Sequence, residues 1–198
     1  MPHVYRLRMA DSNEHLFALS SGRRIRERDA LSACGLAPTT LASMTAISVR
    51  TFTPHEWEAL RDLRLEALSD TPWAFSSTAD HESRFDETTW RARTITSAAA
   101  LRDGVPVGLV GWHQSDPTVA RLELVSMWVR SDARGSTVAS RLVDHVLAVA
   151  GTERELVLGI MADNARARAF YERVGFIMSV ESIAEVHPQC LIRMVFPR

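Results

Sequence analysis

The chain has 198 residues, 23 basic and 24 acidic, and its formal net charge of −1 gives no general attraction to nucleic acid or an anionic membrane. A hydrophobic content of 46% and a charged content of 24% are those of a globular protein, with length for one substantial domain and a tail. Apart from histidine every basic residue is arginine, so no lysine is present to act as a base or Schiff-base nucleophile.

Residues 1–43 carry a charged run at 20–29 and a linker-like stretch at 35–40. They read as a poorly ordered, solvated leader; the other reading is a basic arm that recruits a macromolecular acceptor. The regular pattern begins just after Met44, which also fits an upstream start codon. Residues 47–52 alternate apolar and polar, as a half-buried strand does. Thr53-Pro54-His55-Glu56 makes a capping box with proline at the first helical position. Trp57, Leu60, Leu63 and Ala67 follow at helical spacing until Asp70-Thr71-Pro72 ends the helix. A second helix is expected over 80–94, carrying Phe85 and Trp90. Residues 98–102 and 105–112 pair as a hairpin about Asp103-Gly104.

A longer strand covers 119–129, partly alternating and then strongly apolar. After a polar break at 131–134 comes a helix with Ala139, Leu142, Val143, Val146, Leu147 and Ala150 on its inner face, stopped by Gly151. Residues 156–161 are continuously apolar, as in a strand covered on both faces. Asp163 or Asn164 caps a further helix that ends at Gly175, and 176–181 and 189–196 supply two last strands. The strand-helix-strand unit across 119–161 is a right-handed parallel crossover, and the hairpins around it make the sheet mixed. The fold class is therefore α/β (α+β).

Cys34 and Cys190 sit in no CxxC or Cys/His pattern, which suits two free thiols in a reducing cytosol, and the histidine spacings suggest no metal site. The first twenty residues contain no continuous apolar stretch, and no run of about 18 apolar residues occurs. Neither a signal peptide nor a membrane span is expected, and the protein reads as cytoplasmic.

The chemistry-bearing segment is Met127-Trp128-Val129-Arg130-Ser131-Asp132-Ala133-Arg134-Gly135-Ser136-Thr137-Val138-Ala139. A strand ends, a short loop turns, and a helix begins on small residues whose N–H groups have no intrahelical partner. Such a helix start suits a phosphate or pyrophosphate, the plainer reading being an ordinary capped helix.

Arg134-Gly135-Ser136-Thr137-Val138-Ala139 resembles the Q/R-x-x-G-x-G/A acyl-CoA loop of the GCN5-related N-acetyltransferase (GNAT) superfamily. Glu123-Leu124-Val125-Ser126-Met127-Trp128-Val129 is similar to the strand before it in that family. Asn164-Ala165-Arg166-Ala167-Arg168-Ala169-Phe170-Tyr171-Glu172-Arg173-Val174-Gly175-Phe176 matches the family's N-x-x-A-x-x-x-Y-x-x-x-G-F segment. The resemblance covers 44–198 and implies a mostly antiparallel central sheet flanked by helices. One departure is Thr137, where the family has glycine; a negative φ there is expected, at which a β-branched residue fits.

The resemblance further implies that acetyl-CoA is a co-substrate, lying where the strand 119–129 splays from 156–161. The backbone of Met127 and Val129 would hydrogen-bond the pantetheine arm, and Met127 or Trp128 would supply the oxyanion donor. The N–H groups of Gly135, Ser136, Thr137, Val138 and Ala139, with Arg134, would hold the pyrophosphate, and Asn164 would contact the cofactor from the other side. Tyr171 matches the general acid for the departing thiolate, a packed core tyrosine being the other reading. Glu123 lies where some members place a catalytic base, the alternative being an ordinary strand glutamate. Gly159 sits where other members carry an acidic residue. Trp73 and Phe75, in the segment joining the first two helices, would line the acceptor pocket or else pack beneath the loop.

The implied activity is transfer of an acetyl group to a primary amine in a ternary complex, with neither metal nor nucleic acid involved and a homodimer compatible. A non-catalytic acyl-CoA sensor of the same fold is the alternative.

Overall fold

The structure, a computed structural model, describes residues 46–114, 116, 118–179 and 191–197. The readings made for the leader 1–43, for Cys34 and Cys190, and for 180–181 and 189–190 at the ends of the last two strands lie outside the described residues.

Strand β1 (Ile47–Thr51) leads through a single 3-10 turn into helix α1 (Trp57–Asp70). The Glu56 carboxylate accepts from the Thr53 N–H and hydroxyl, both at 2.9 Å, so the expected capping contact is made, but it caps the turn Pro54–Glu56 that precedes α1. The single helix expected over 80–94 is two, α2 (Ala79–Glu82) and α3 (Glu87–Thr94). Asp86 breaks it by folding its carboxylate back to accept from the Thr89 N–H at 2.8 Å, a cap that starts a new helix. Strands β2 (Ser97–Arg102) and β3 (Val105–His113) pair about Asp103 and Gly104, whose φ values of 53° and 81° suit the tight turn. Strand β4 (Arg121–Val129), helix α4 (Val138–Ala150), strand β5 (Glu155–Met161) and helix α5 (Ala165–Arg173) follow, then β6 (Ile177–Met178) and β7 (Leu191–Phe196).

The seven strands form one sheet in the order β1-β2-β3-β4-β5-β7-β6. Pairings are antiparallel except β4 with β5, the crossover expected from the sequence. One face packs on α4 and α5 through Leu122, Leu124, Val138, Leu142, Val146, Leu158, Ile160 and Tyr171. The opposite face packs on α1 and α3 through Leu60, Leu63, Ala67, Trp90, Leu109 and Trp128. No helix among the described residues is long and apolar enough to cross a membrane.

One irregularity positions the site. Leu109 pairs with Trp128 but Gly111 pairs with Val125, so Val110 faces both Ser126 and Met127, and Ser126 has φ 57°. This β-bulge inserts one residue into β4 and exchanges the faces of everything after it. Leu122 and Leu124 point to α4, whereas Trp128 crosses to the α1 side, and Met127 and Val129 take over the α4 side.

Candidate active site

The parallel ladder between β4 and β5 begins at Arg121–Glu155 and ends at Leu124–Leu158. Beyond it β4 stays with β3 as far as Val129, and β5 stays with β7 as far as Met161. The sheet therefore opens as a V, with bulged β4 as one lip and Gly159–Met161 as the other. This is the splay that the resemblance implied. Arg130 donates its N–H to the Val107 carbonyl at 2.9 Å, so by strand alternation Val129 and Met127 direct their backbone groups into the opening.

At the mouth of the V stands the start of α4. Gly135 has φ 79°, a conformation that L side chains rarely adopt, and an added Cβ there would meet nothing within 4 Å. Glycine is required by the turn and not by close approach. Thr137 has φ −78° and ψ 0°, so its branched side chain sits without backbone strain, as expected. Gly135, Ser136 and Thr137 are exposed, while the Val138 side chain is wholly buried and Ala139 half-buried, leaving only their N–H groups for a ligand. The Val138 N–H in turn approaches the Ser136 hydroxyl at 3.3 Å, and that hydroxyl donates to the Ala133 carbonyl at 2.6 Å.

Arg134 has two partners within the protein. Its Nε donates to the Val129 carbonyl at 2.9 Å, and its Nη2 pairs with Asp70, the last residue of α1. The same Asp70 oxygen accepts from Trp128 Nε1 at 2.9 Å. The Trp128 N–H and then the Arg134 guanidinium hold the Asp70 carboxyl below its ordinary value. Arg134 thus acts as a strut between the end of β4 and the end of α1.

Tyr171 sits on the α4 and α5 face, 5% exposed, its ring edge-on to Phe170 at 5.1 Å and Phe176 at 5.4 Å. Burial pushes its phenol well above the ordinary value, so it stays protonated throughout the neutral range. Asn164 caps α5, its Oδ1 accepting from the Ala167 N–H at 3.0 Å. Its Nδ2 makes no part of this cap.

Glu123 lies on the opposite face. It stands across from His113, whose Nε2 is 3.5 Å from its carboxylate, and beside Val157 on β5, one rung from the apex of the V. Its side chain borders a cleft of about 260 Å³ lined by Asp116, Val119, Arg121, Glu123, Val157 and Arg193. The two aromatic residues of the 71–78 segment divide. Trp73 is 63% exposed, whereas Phe75 packs against the α1 cluster with the Arg64 guanidinium 4.6 Å from its ring centroid.

Sequence reasoning passed over Ser126 and Arg193, and gave Asp70 only a place at the end of its helix. The side that faces α4 changes from Leu122 and Leu124 to Met127 and Val129, but Val125, Met127, Trp128 and Val129 are all apolar, so the change leaves no pattern in the sequence. The Asp70 and Arg193 contacts depend on long-range register and left no local trace.

The acetyltransferase (GNAT) family matches residues 57–176. The chain is 36% identical over 55 residues to the 5-NmdU N-acetyltransferase of Pseudomonas phage PaMx11, a match covering 28% of this chain and 39% of that protein. Its fold is similar to that of the PaiA N-acetyltransferase of Thermoplasma acidophilum in complex with coenzyme A, with TM-score 0.57 and 13% identity over 77% of this chain and 99% of that one. It is similar also to Arabidopsis thaliana Naa50 in complex with the bisubstrate analogue CoA-Ac-MVNAL, with TM-score 0.56 and 17% identity over 77% and 99% of the two chains. Fold, sheet opening and sequence match agree, and the chain belongs to the acetyltransferase (GNAT) family.

Proposed function

We propose that this protein transfers the acetyl group of acetyl-CoA to a primary amine by direct attack in a ternary complex. The observation that carries the reading is the opening beyond Leu124–Leu158, with Tyr171 on one face of the sheet and Glu123 on the other. A donor held from the α4 and α5 face and an amine entering from the opposite face meet at the apex of the V. Proximity of this kind removes much of the entropic part of a bimolecular barrier.

The residues fit an acyl-CoA. The N–H groups at the start of α4 face a pyrophosphate, and the backbone of Met127 and Val129 faces an amide-bearing arm. Acetyl-CoA, when bound, supplies the thioester whose carbon accepts the amine. Glu123 takes the amine proton, directly or through water, as the new C–N bond forms. The backbone N–H of Met127 or Trp128 meets the charge that develops on the carbonyl oxygen. Tyr171 donates a hydrogen bond to the sulfur as the C–S bond breaks. Solvation of Glu123 from the open side limits how much its loss costs.

Mixing the protein with acetyl-CoA and a panel of primary amines, 5-NmdU included, and following free thiol release tests the reading. Amine-dependent release supports it. Coenzyme binding with no release from any amine would identify a non-catalytic acyl-CoA-binding domain instead. Glu123→Gln is expected to lower kcat about tenfold, below the usual range of about 10²–10⁴ for a positioned base because water reaches this carboxylate. Its Kd for acetyl-CoA should be unchanged in a calorimetric titration, and an unchanged kcat would reduce Glu123 to a strand residue. Thr137→Gly is expected to change the acetyl-CoA Kd less than about threefold, since Thr137 already has a permitted φ. A larger gain in affinity on titration would show that the threonine does strain the loop.

A further inference from the structure

A proton that leaves the amine for Glu123 has a second group within reach. His113 and Glu123 are partners in the β3–β4 ladder, on the rung next to the connection 114–120. The neighbouring rung pairs Trp112 with Leu124, and both of those side chains are buried on the α4 side. Alternation along each strand sends His113 and Glu123 together to the other face, where Glu123 lines the cleft. Their side chains meet there, with His113 Nε2 3.5 Å from Glu123 Oε2.

The surroundings of the carboxylate narrow the route. On its other flank Glu123 has Val157 of β5, whose side chain neither gives nor takes a proton. Among the charged side chains that line the cleft, Asp116 accepts from the Thr118 N–H at 2.8 Å and hydroxyl at 2.6 Å. Arg121 and Arg193 are guanidiniums, donors with no acceptor atom. Gln114, the residue after His113, donates to the Asp116 and Val119 carbonyls at 3.3 and 3.0 Å, which ties down the connection behind the rung. The His113 side chain is 51% exposed against 31% for Glu123, so the imidazole reaches water more freely than the carboxylate does.

Resting on the acetyl-transfer reading, we propose that His113 and Glu123 form a two-part base, in which Glu123 takes the proton from the amine nitrogen and His113 Nε2 takes it from Glu123. The N–H bond of the amine breaks as a carboxyl O–H forms, and that O–H gives its proton to Nε2. Carboxylate and imidazolium then stand side by side, and the imidazolium returns the proton to water before the next turnover. The neutral ring carries its hydrogen on Nδ1, leaving Nε2 as the acceptor. An imidazole holds a proton about a hundredfold more tightly than a free carboxylate, from ordinary values of about 6.5 and 4.3. The pair therefore ends the step with the proton on the stronger base and the carboxylate restored. A separation of 3.5 Å is longer than a made hydrogen bond, and catalytic contacts of this kind shorten when substrate fills the site. His113 acts through Glu123 and is a positioning residue in that sense.

The test takes an amine that the protein turns over, with acetyl-CoA saturating, and compares His113→Gln, Glu123→Gln and the double variant. His113→Gln keeps a polar side chain on the rung and removes the basic nitrogen. It should lower kcat about tenfold, the loss expected for Glu123→Gln, while KM for acetyl-CoA and Tm stay as in the parent. Residues that act as a unit do not add, so the double variant should lie within about twofold of the slower single variant. Independent losses of about tenfold each would instead multiply to about a hundredfold. Imidazole added to His113→Ala should raise its rate at least about threefold, a rescue that a merely packing residue would not show. An unchanged kcat in His113→Gln, losses that multiply, or a His113→Ala rate indifferent to imidazole overturns this inference and leaves the acetyl-transfer reading intact. Failure of every amine to release thiol contradicts the acetyl-transfer reading and this inference with it.

Discussion

Tyr171→Phe is expected to lower kcat about a hundredfold while the Kd for acetyl-CoA changes less than twofold, the loss typical of removing one positioned hydrogen-bond donor to developing negative charge. The substitution keeps the ring that packs edge-on against Phe170 and Phe176 and removes only the hydroxyl. A thiol has an ordinary pKa of about 8.5 and a phenol about 10, and burial raises this phenol further. The raised phenol is the weaker acid, so its contribution is a hydrogen bond held to the sulfur while negative charge grows there. The coenzyme thiol gains its full proton from water after release. Because Tyr171 remains neutral to well above pH 10, any alkaline fall in rate below that point belongs to another group. Rapid-quench measurement of the chemical step checks the effect directly. An unchanged rate would leave Tyr171 as a packing residue.

The second large effect concerns stability. Glu82 accepts from Arg64 Nε at 3.0 Å and Nη2 at 2.8 Å, and from Arg93 Nη1 at 2.8 Å. Glu82 and Arg64 are 2% and 5% exposed, and Arg64 Nη1 is buried with no partner. Glu82→Ala leaves the Arg64 charge buried beside no carboxylate, which should cost about 3–5 kcal/mol in urea unfolding at neutral pH. Against a typical total of about 5–15 kcal/mol, that is a large share. The same network predicts an acid limb. Burial pushes the Glu82 carboxyl up, but the Arg64 and Arg93 hydrogen bonds and charges outweigh burial and hold it at about 2, below its ordinary 4.5. A depressed carboxyl contributes stability above its unfolded value and loses it as pH falls through the folded one. The parent should therefore lose stability between pH 4.5 and 2, and Glu82→Gln should lose less over that interval. A cost under 1 kcal/mol for Glu82→Ala would show that the buried ion pair contributes nothing net. Arg64 also covers the ring of Phe75, so the variant should loosen the 71–78 segment that joins α1 to α2.

Much of the architecture was legible because local signals agreed with the fold. The Asp103-Gly104 turn, the inner face of α4, the stop at Gly151 and the apolar β5 each read at short range, and together they placed the parallel crossover. Helix α2 was fused with α3 because the apolar spacing continues through 83–86, and only the Asp86 cap reveals the break. The bulge was missed because serine, not glycine, occupies the left-handed position. Its consequence is large, since it sends Trp128 to the α1 face and aims the Met127 backbone into the opening. Arg134 illustrates a different limit. Its position after β4 suggested a charge near the pyrophosphate, and its pairing with Asp70, 64 residues away at the end of another element, left no local trace. The cleft on the Glu123 face is likewise a product of cross-strand register among β4, β5 and β7, which no motif records.

The most direct test of donor and acceptor meeting across the open sheet is an initial-velocity study that varies acetyl-CoA against a turned-over amine. Attack in a ternary complex predicts double-reciprocal lines that intersect, with no thiol released before the amine is added. Parallel lines, or a burst of thiol from protein and acetyl-CoA alone, would contradict it by showing that the acetyl group passes first to the protein.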